Sequence, residues 1–296
     1  MLADSTTCTT KRLPRGRPTW HASVMNASPV SDPVWRALAA EAGIAADQIG
    51  EGATLLAKCV PEYPWTFSRA FFPLSIGLER ACKIALHVDA RLVSGAFLTS
   101  KQMRAYGHGL TTLISEVESI GQRVKVGNSP NDEMHQNIVS ILDGFATGGR
   151  YHYLDDLGGN SVAGADPGER WWNEVVLAAG RLHYKASRRE RDEAQARELG
   201  EAMDQYSLVR HVHVAGRATE SVGALIQGQA LMDATTPWVR MYALQIARWL
   251  GAVLRELSLR AHQVAAPEIP ELWEFFSKFD VDDRFLRERK TWRPMA

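Results

Sequence analysis

Apolar residues recur along this chain with the period of a helix, and the clearest stretch runs from Arg69 to Val117. At about 100° per residue, Phe72, Leu78, Ala81, Cys82, Ala85, Leu86 and Val88 spread over one broad side, while Arg69, Arg80, Lys83, His87 and Arg91 fall in a narrow opposite arc. This pattern predicts a helix over 69–92. Glu79 lies at the edge of the polar arc, four residues before Lys83, in the order that favours an ion pair. Asp89 falls on the apolar side and must therefore be capped, paired or at a break. After a linker over 94–99, a second helix is predicted over 100–118 with Thr99 or Ser100 as its N-cap. Its stripe is Met103, Tyr106, Leu110, Leu113, Ile114 and Val117, and Lys101, Arg104, His108, Thr111 and Ser115 share the other face. Gly107 and Gly109 flank His108 in mid-helix, each costing about 1 kcal/mol against alanine. Two such costs around one residue point to a close-packed neighbour, or else to an irregular helix with a solvated histidine.

The rest of the chain repeats the helical period. Asp32 before Pro33 reads as a capped start, followed by Val34, Leu38 and Ala42 and stopped by Gly43. Between 45 and 67 only a short helix around Leu55, Leu56, Cys59 and Val60 is indicated, broken by Pro61 and Pro64. Ser129-Pro130-Asn131-Asp132-Glu133 combines a cap, an N1 proline and first-turn acids. Ile138, Ile141, Leu142 and Phe145 follow, and Gly148-Gly149 ends the helix. The Gly-, Ala- and Ser-rich stretch 158–168 reads as a loop or module boundary. Asp166-Pro167-Gly168-Glu169 is a capping box that starts a helix through Trp171, Val175, Val176 and Ala179. A long helix is predicted over 188–215 with Gly216 as terminator, and Pro237 opens a last long helix, Trp238 to His262, apolar almost all round. A short amphipathic helix with Leu272, Trp273, Phe275 and Phe276 follows Pro267 and Pro270. With no β-alternation and no fixed repeat, the expectation is an all-α fold: a helical bundle over 33–157, a second helical module over 166–296 packed on it, and a disordered basic tail over 1–32.

Composition narrows the classes of function. The 296 residues carry no net charge, so the whole surface does not serve a polyanion, although a local basic groove is compatible with that balance. Cys8, Cys59 and Cys82 are too few and too scattered for a disulfide framework or a four-ligand zinc site, which fits a reducing compartment. No apolar run approaches the roughly 18 residues of a membrane span. Residues 5–31 hold Lys11, Arg12, Arg15 and Arg17 and no acid, a composition shared by transit peptides and floppy basic tails, of which the tail is favoured. A cytoplasmic protein is expected.

Catalytic signatures are sparse. Walker, G-x-G-x-x-G, H-E-x-x-H and C-x-x-C motifs are all missing. Gly159-Asn160-Ser161-Val162-Ala163 is only loosely like a nucleophile elbow, with no strand before it. His211 and His213 share a metal only if they lie on a strand; on the predicted helix they point about 200° apart. Asp280, Asp282 and Asp283 lack the glycine and distal glutamate of a calcium loop. No metal and no cofactor are expected.

Three pieces in order carry a family resemblance: Glu79 and Lys83 one turn apart on one helix, Gly107-His108 with Leu110 on the next, and Phe145 a turn before Arg150-Tyr151 at the end of a third. Over residues 69–157 this order resembles the HEPN superfamily of helical nucleotide-binding bundles. The resemblance implies binding of RNA or a nucleotide. Because many members are metal-independent ribonucleases, it also implies a histidine acting on the ribose 2′-hydroxyl and an arginine stabilising phosphate charge. The Arg-x(4 to 6)-His spacing of such enzymes occurs at Arg15 with His21, Arg80 with His87 and Arg255 with His262, about as often as chance gives, and not at Arg150, where the chain reads Arg150-Tyr151-His152. The expected catalytic residues are His108, Arg104, Arg150, His87 and Arg80, with Glu79, Lys83, Tyr151 and His152 binding the ligand. Expected partners are RNA or a nucleotide, together with a second copy of the chain or another protein, and no membrane. The alternative is a non-catalytic interaction scaffold whose charges only solubilise the bundle and whose partners meet Trp171-Trp172 or Trp273 to Phe276. Convergence of Arg80, His87, Arg104 and His108 in one cleft is what separates the two.

Overall fold

Asp32 caps the first helix as its context predicts. In the computed structural model, which describes residues 29–159 and 166–292, its Oδ1 accepts the Val34 N–H at 2.7 Å and Pro33 occupies the first helical position. The expected stop at Gly43 does not occur, and α1 runs from Pro33 to Leu56. Buried Ala42, Ala45, Ala46, Ile49, Ala53 and Leu56 carry the apolar period past the glycine. Their burial outweighs a local cost of about 1 kcal/mol. The short helix expected around Leu55 is thus the end of α1. The prolines beyond it sit in a turn where the Val60 N–H donates to Thr66 Oγ1 at 3.0 Å.

The predicted helix over 69–92 lies within α2, Trp65–Ser94, which ends where Gly95 turns left-handed at φ +79°. Asp89 is paired, as its position required: Arg123 Nη2 lies 2.5 Å from its Oδ1. α1 and α2 cross at glycines. A Cβ on Gly77 would stand 2.7 Å from Ile49 N and 2.8 Å from Ala45 O, and one on Gly52 would stand 2.6 Å from Leu74 Cβ.

The helix predicted over 100–118 is two helices, α3 (Ser100–Ala105) and α4 (Leu110–Arg123). Thr99 and Gln102 form a full capping box for α3. Gly107 adopts φ +67° with open space where its Cβ would be, so this glycine serves a left-handed turn and not a close neighbour. α5 (Glu133–Thr147) is capped by Asp132; Ser129, expected as the cap, instead bonds the Glu118 carboxylate. A 3₁₀ turn, Gly149–Tyr151, leads into α6 (His152–Leu157).

Asp166 caps α7 (Pro167–Arg170), which continues as a π-helical turn, Trp171–Val176, into α8 (Leu177–His183). The helix expected over 188–215 ends early: α9 covers Ala186–Met203, and a small hairpin follows, β1 (His211–Val212) paired antiparallel with β2 (Ala218–Thr219). The hairpin is anchored by the Val214 N–H donating to Pro61 O at 2.7 Å, a tertiary tie that local spacing does not reveal. α10 spans Val222–Gln263 with Pro237 inside it, not at its start. α11 (Trp273–Phe276) and α12 (Asp283–Glu288) fold back over α10.

The protein is all-α, its only sheet among the described residues being that hairpin. α10 runs through the middle against α1, α2, α4, α5, α8 and α9. One continuous apolar cluster extends from Leu38 to Trp292, so the stretches 33–157 and 166–292 share a core. The expected tail over 1–32 falls almost wholly outside the described residues, as does the elbow-like run beyond Gly159. No helix among the described residues is long and apolar enough to cross a membrane.

The crossing predicts a contrast between two glycines. Gly77→Ala forces helix backbones apart and is expected to lower unfolding stability by about 1–3 kcal/mol. A Cβ on Gly43 meets only the Phe275 ring at 3.7 Å, so Gly43→Ala is expected to be neutral or to stabilise by up to about 1 kcal/mol. Urea unfolding of both variants checks this; equal effects would rule out the crossing as the constraint.

Candidate functional site

The polar arc of α2 faces a cavity of about 840 Å³ between α1, α2 and the 97–108 segment. α2 contributes Glu79, Arg80, Lys83 and His87, α1 contributes Val34, Ala37, Leu38 and Glu41, the 97–108 segment contributes Phe97, Met103 and His108, and Arg150 enters from the 3₁₀ turn after α5. Cations and histidines thus meet an apolar wall.

Glu79 is the hub. It is buried, and its Oε1 lies 2.7 Å from Lys83 Nζ and 2.8 Å from His108 Nδ1. A carboxylate only accepts, so the His108 proton in this bond belongs to Nδ1. In the neutral ring that leaves Nε2 with its lone pair free, which is the protonation pattern of a general base. Glu79 can hold the ring in this pose because burial and Lys83 fix it; the His108 side chain itself is 69% exposed and reachable. The left-handed turn at Gly107 is what aims it, since His108 leaves the helix between α3 and α4.

Arg80 pairs through Nη1 with Glu41 on α1. His87, half-buried beside the Phe97 ring with centroids 6.4 Å apart, is held below its usual pKa by burial and so stays neutral at pH 7. Arg150 is different. Its guanidinium lies 6.0 Å from the centre of the Phe72 ring, its buried Nε has no hydrogen-bond partner, and no carboxylate among the described residues pairs with it. Phe72 in turn packs edge-on against Phe145 at 4.9 Å. Phe145 therefore packs against the ring beside which Arg150 lies.

Six of the expected residues line this cavity: Glu79, Arg80, Lys83, His87, His108 and Arg150. Three do not. Arg104 is exposed and its Nε donates to its own Ser100 carbonyl at 3.1 Å, because the break at Gly107 removes the shared helix face that linked it to His108. Tyr151 is exposed, and His152 turns to Asp156 and Asp166 at 3.5 and 3.8 Å, carried there by the start of α6. Sequence reasoning missed Glu41 and the apolar wall of α1. The recurrence of Val34, Ala37, Leu38 and Glu41 at helical spacing was the available signal, but it reads equally well as core.

Among the described residues no three His, Cys, Asp or Glu side chains are grouped to hold an ion. His211 does lie on a strand, yet its ring turns edge-on to Tyr63 at 5.5 Å whereas His213 turns edge-on to Trp172 at 4.4 Å. Asp280 accepts from Trp273 Nε1, Asp282 caps α12 and Asp283 pairs with Arg248, so these acids have structural partners. No family model, curated protein or solved structure matches the chain.

His213 generates a pH prediction. Burial, reinforced by the Arg217 cation, pulls its pKa down to about 4, while Nδ1 accepts the Ala215 N–H at 3.0 Å. An unfolded histidine titrates near 6.5, so on acidification the unfolded chain takes up this proton first. The contribution is fully present above about pH 6.5 and is lost as the pH falls towards about 4. His213→Asn keeps an acceptor for Ala215 without titrating, and urea unfolding between those limits is expected to show a shallower pH dependence than wild type. An unchanged slope would remove His213 as its source.

Proposed function

We propose that the chain is a HEPN-like protein that binds a nucleotide, or a nucleotide unit of RNA, in the cavity between α1 and α2 and cleaves RNA without a metal, in the manner of defence- or toxin-type ribonucleases. Arg104 stays outside the cavity, so the four-residue cluster is incomplete, and one observation carries the reading: Arg80, Lys83, Arg150, His87 and His108 line a single cavity together with the apolar Val34, Leu38, Ile84, Phe97 and Met103. That combination suits a ligand with a phosphate at one end and a flat apolar base at the other. Its volume of about 840 Å³ lies within the range usual for small-ligand sites.

In this reading Glu79 holds His108, and His108 Nε2 removes the proton of a ribose 2′-hydroxyl. The 2′-oxygen attacks the adjacent phosphorus, the 5′-oxygen of the next nucleotide leaves and takes a proton from water, and a 2′,3′-cyclic phosphate remains. Arg150, which has no carboxylate partner, neutralises charge gathering on the phosphoryl oxygens. Arg80 is held by Glu41 and acts as a wall of the phosphate end.

A scaffold reading also rests on a specific observation. Its expected aromatic surfaces are largely closed, since Trp171, Trp172 and Phe276 are all buried. On and beside α6, however, Tyr151, Tyr153, Leu154 and Leu157 are exposed, Leu157 at 85%, and such a patch suits a second copy of the chain or another protein.

Binding and cleavage of a labelled RNA oligonucleotide at low salt, where phosphate contacts are strongest, test the proposal. His108→Ala is expected to lower the cleavage rate about 10²- to 10⁴-fold, the usual contribution of a general base, with binding nearly unchanged. Lys83→Ala with Arg150→Ala is expected to weaken binding and flatten its salt dependence. Wild-type protein that neither binds nor cuts sinks the nucleotide reading, and cleavage undisturbed by His108→Ala sinks the mechanism.

A further inference from the structure

A second cavity, of about 720 Å³, opens where the C-terminal segment folds back over α10, and it shares no lining residue with the first. Arg240 is its deepest cation. Only 2% of this residue is exposed, its Nη2 donates to the Arg287 carbonyl at 2.5 Å, and its buried Nε has no partner. No carboxylate among the described residues comes within ion-pair distance of it. A guanidinium out of water without a counter-ion is one of the costlier arrangements a fold contains, and proteins normally supply the missing charge. Burial pulls its pKa below the usual arginine value, yet arginine keeps its proton at neutral pH.

Three further cations line the same space, of which Arg188 is taken by Asp192 at 3.3 Å. The Arg287 guanidinium lies 4.4 Å from the centre of the Trp238 ring, and the other face of that indole is covered by His183, parallel within 6° at 3.9 Å. Trp238 is thereby clamped and Arg287 is held over it, its Nη2 making only a long pair, 3.8 Å, with Glu288 Oε1 at the edge of the cavity. Lys290 stands exposed at the rim, with no ion pair among the described residues. The two carboxylates in the lining are already engaged: Asp233 accepts from Gln229 at 2.8 Å and Glu288 from Arg284 at 3.0 Å.

We propose that this cavity is a binding site for a small phosphate-bearing ligand, held by Arg240, Arg287 and Lys290. The concave shape and the depth of Arg240 favour a compact anion over an extended nucleic-acid backbone. Both faces of Trp238 are covered, so no nucleobase stacks there, and recognition falls on the phosphate itself. The guanidinium forks of Arg240 and Arg287 suit two oxygens of one phosphoryl group, with the point charge of Lys290 completing a pocket for a multiply charged anion.

The test uses the full chain with inorganic pyrophosphate as probe, titrated by calorimetry at low salt in an Arg80→Ala/Lys83→Ala background that weakens anion binding in the first cavity. Pyrophosphate is expected to bind this background and to raise its Tm, as a ligand of the folded state must. Lys290→Glu added to it is expected to weaken binding at least tenfold with an unchanged circular dichroism spectrum, because Lys290 is exposed and in no ion pair among the described residues. Arg240→Gln is expected to abolish binding; should that variant not fold, Lys290→Glu and Arg287→Gln still decide the matter. The proposal is overturned if the background binds no pyrophosphate at millimolar concentration, or if Lys290→Glu and Arg287→Gln bind it as the background does. Either result leaves the nucleotide reading of the first cavity untouched, since that reading is judged by RNA binding and by His108.

Discussion

The approach of α1 to α2 at Gly52 and Gly77 governs what the rest of the molecule can do. Where backbone lies against backbone, the side chains on either flank of the crossing are forced into register with each other. Two residues after Gly77 comes Glu79, and the next turn of the same face brings Arg80 and Lys83; on α1 the facing turn brings Leu38 and Glu41. The cavity is the space left as the two helices diverge from their contact. Most of its lining therefore belongs to the two helices themselves, with the 97–108 segment and Arg150 closing it. Burial of Ile49, Leu74 and Leu78 around the crossing stabilises the same geometry.

Glu79 ties two segments of that scaffold together. A buried carboxylate is tolerated only when its oxygens are met by donors, and here Lys83 and His108 meet one oxygen from two different segments. The bond to Lys83 is within one helix and would form in almost any context. The bond to His108 is tertiary and depends on the left-handed turn at Gly107. One carboxylate thus ties a local pair, easily read from spacing, to a contact that only the folded chain discloses.

The same division explains what the sequence made legible. Asp32 and Asp166 announce helix starts because capping is local, and Asp89 announces a partner because a charge on an apolar face needs one. The polar arc of α2 was legible for the same reason, and it holds four of the six expected residues that line the cavity, His108 and Arg150 joining them from a turn and a 3₁₀ segment. Gly43 and Pro237 mislead because their costs are local while the burial that outweighs them is distributed over α1 and α10. Gly107 misleads in the opposite direction: a stripe that continues through it disguises a turn, and with the turn goes the common face that would have placed Arg104 beside His108. Glu41 was invisible because its role comes from the crossing partner. The β1–β2 hairpin was hidden because its anchor, Pro61, lies far away in sequence.

α3 buries no residue completely, and it hangs between two glycines, Gly95 and Gly107, that both adopt left-handed backbone with open space around them. Yet the 97–108 segment supplies Phe97, Met103 and His108 to the cavity. This part of the wall is thus only partly buried: Phe97 and Met103 pack against the core without entering it. Substitutions at exposed positions of this segment can therefore alter the shape of the cavity mouth while leaving the glycine crossing and the central helix in place.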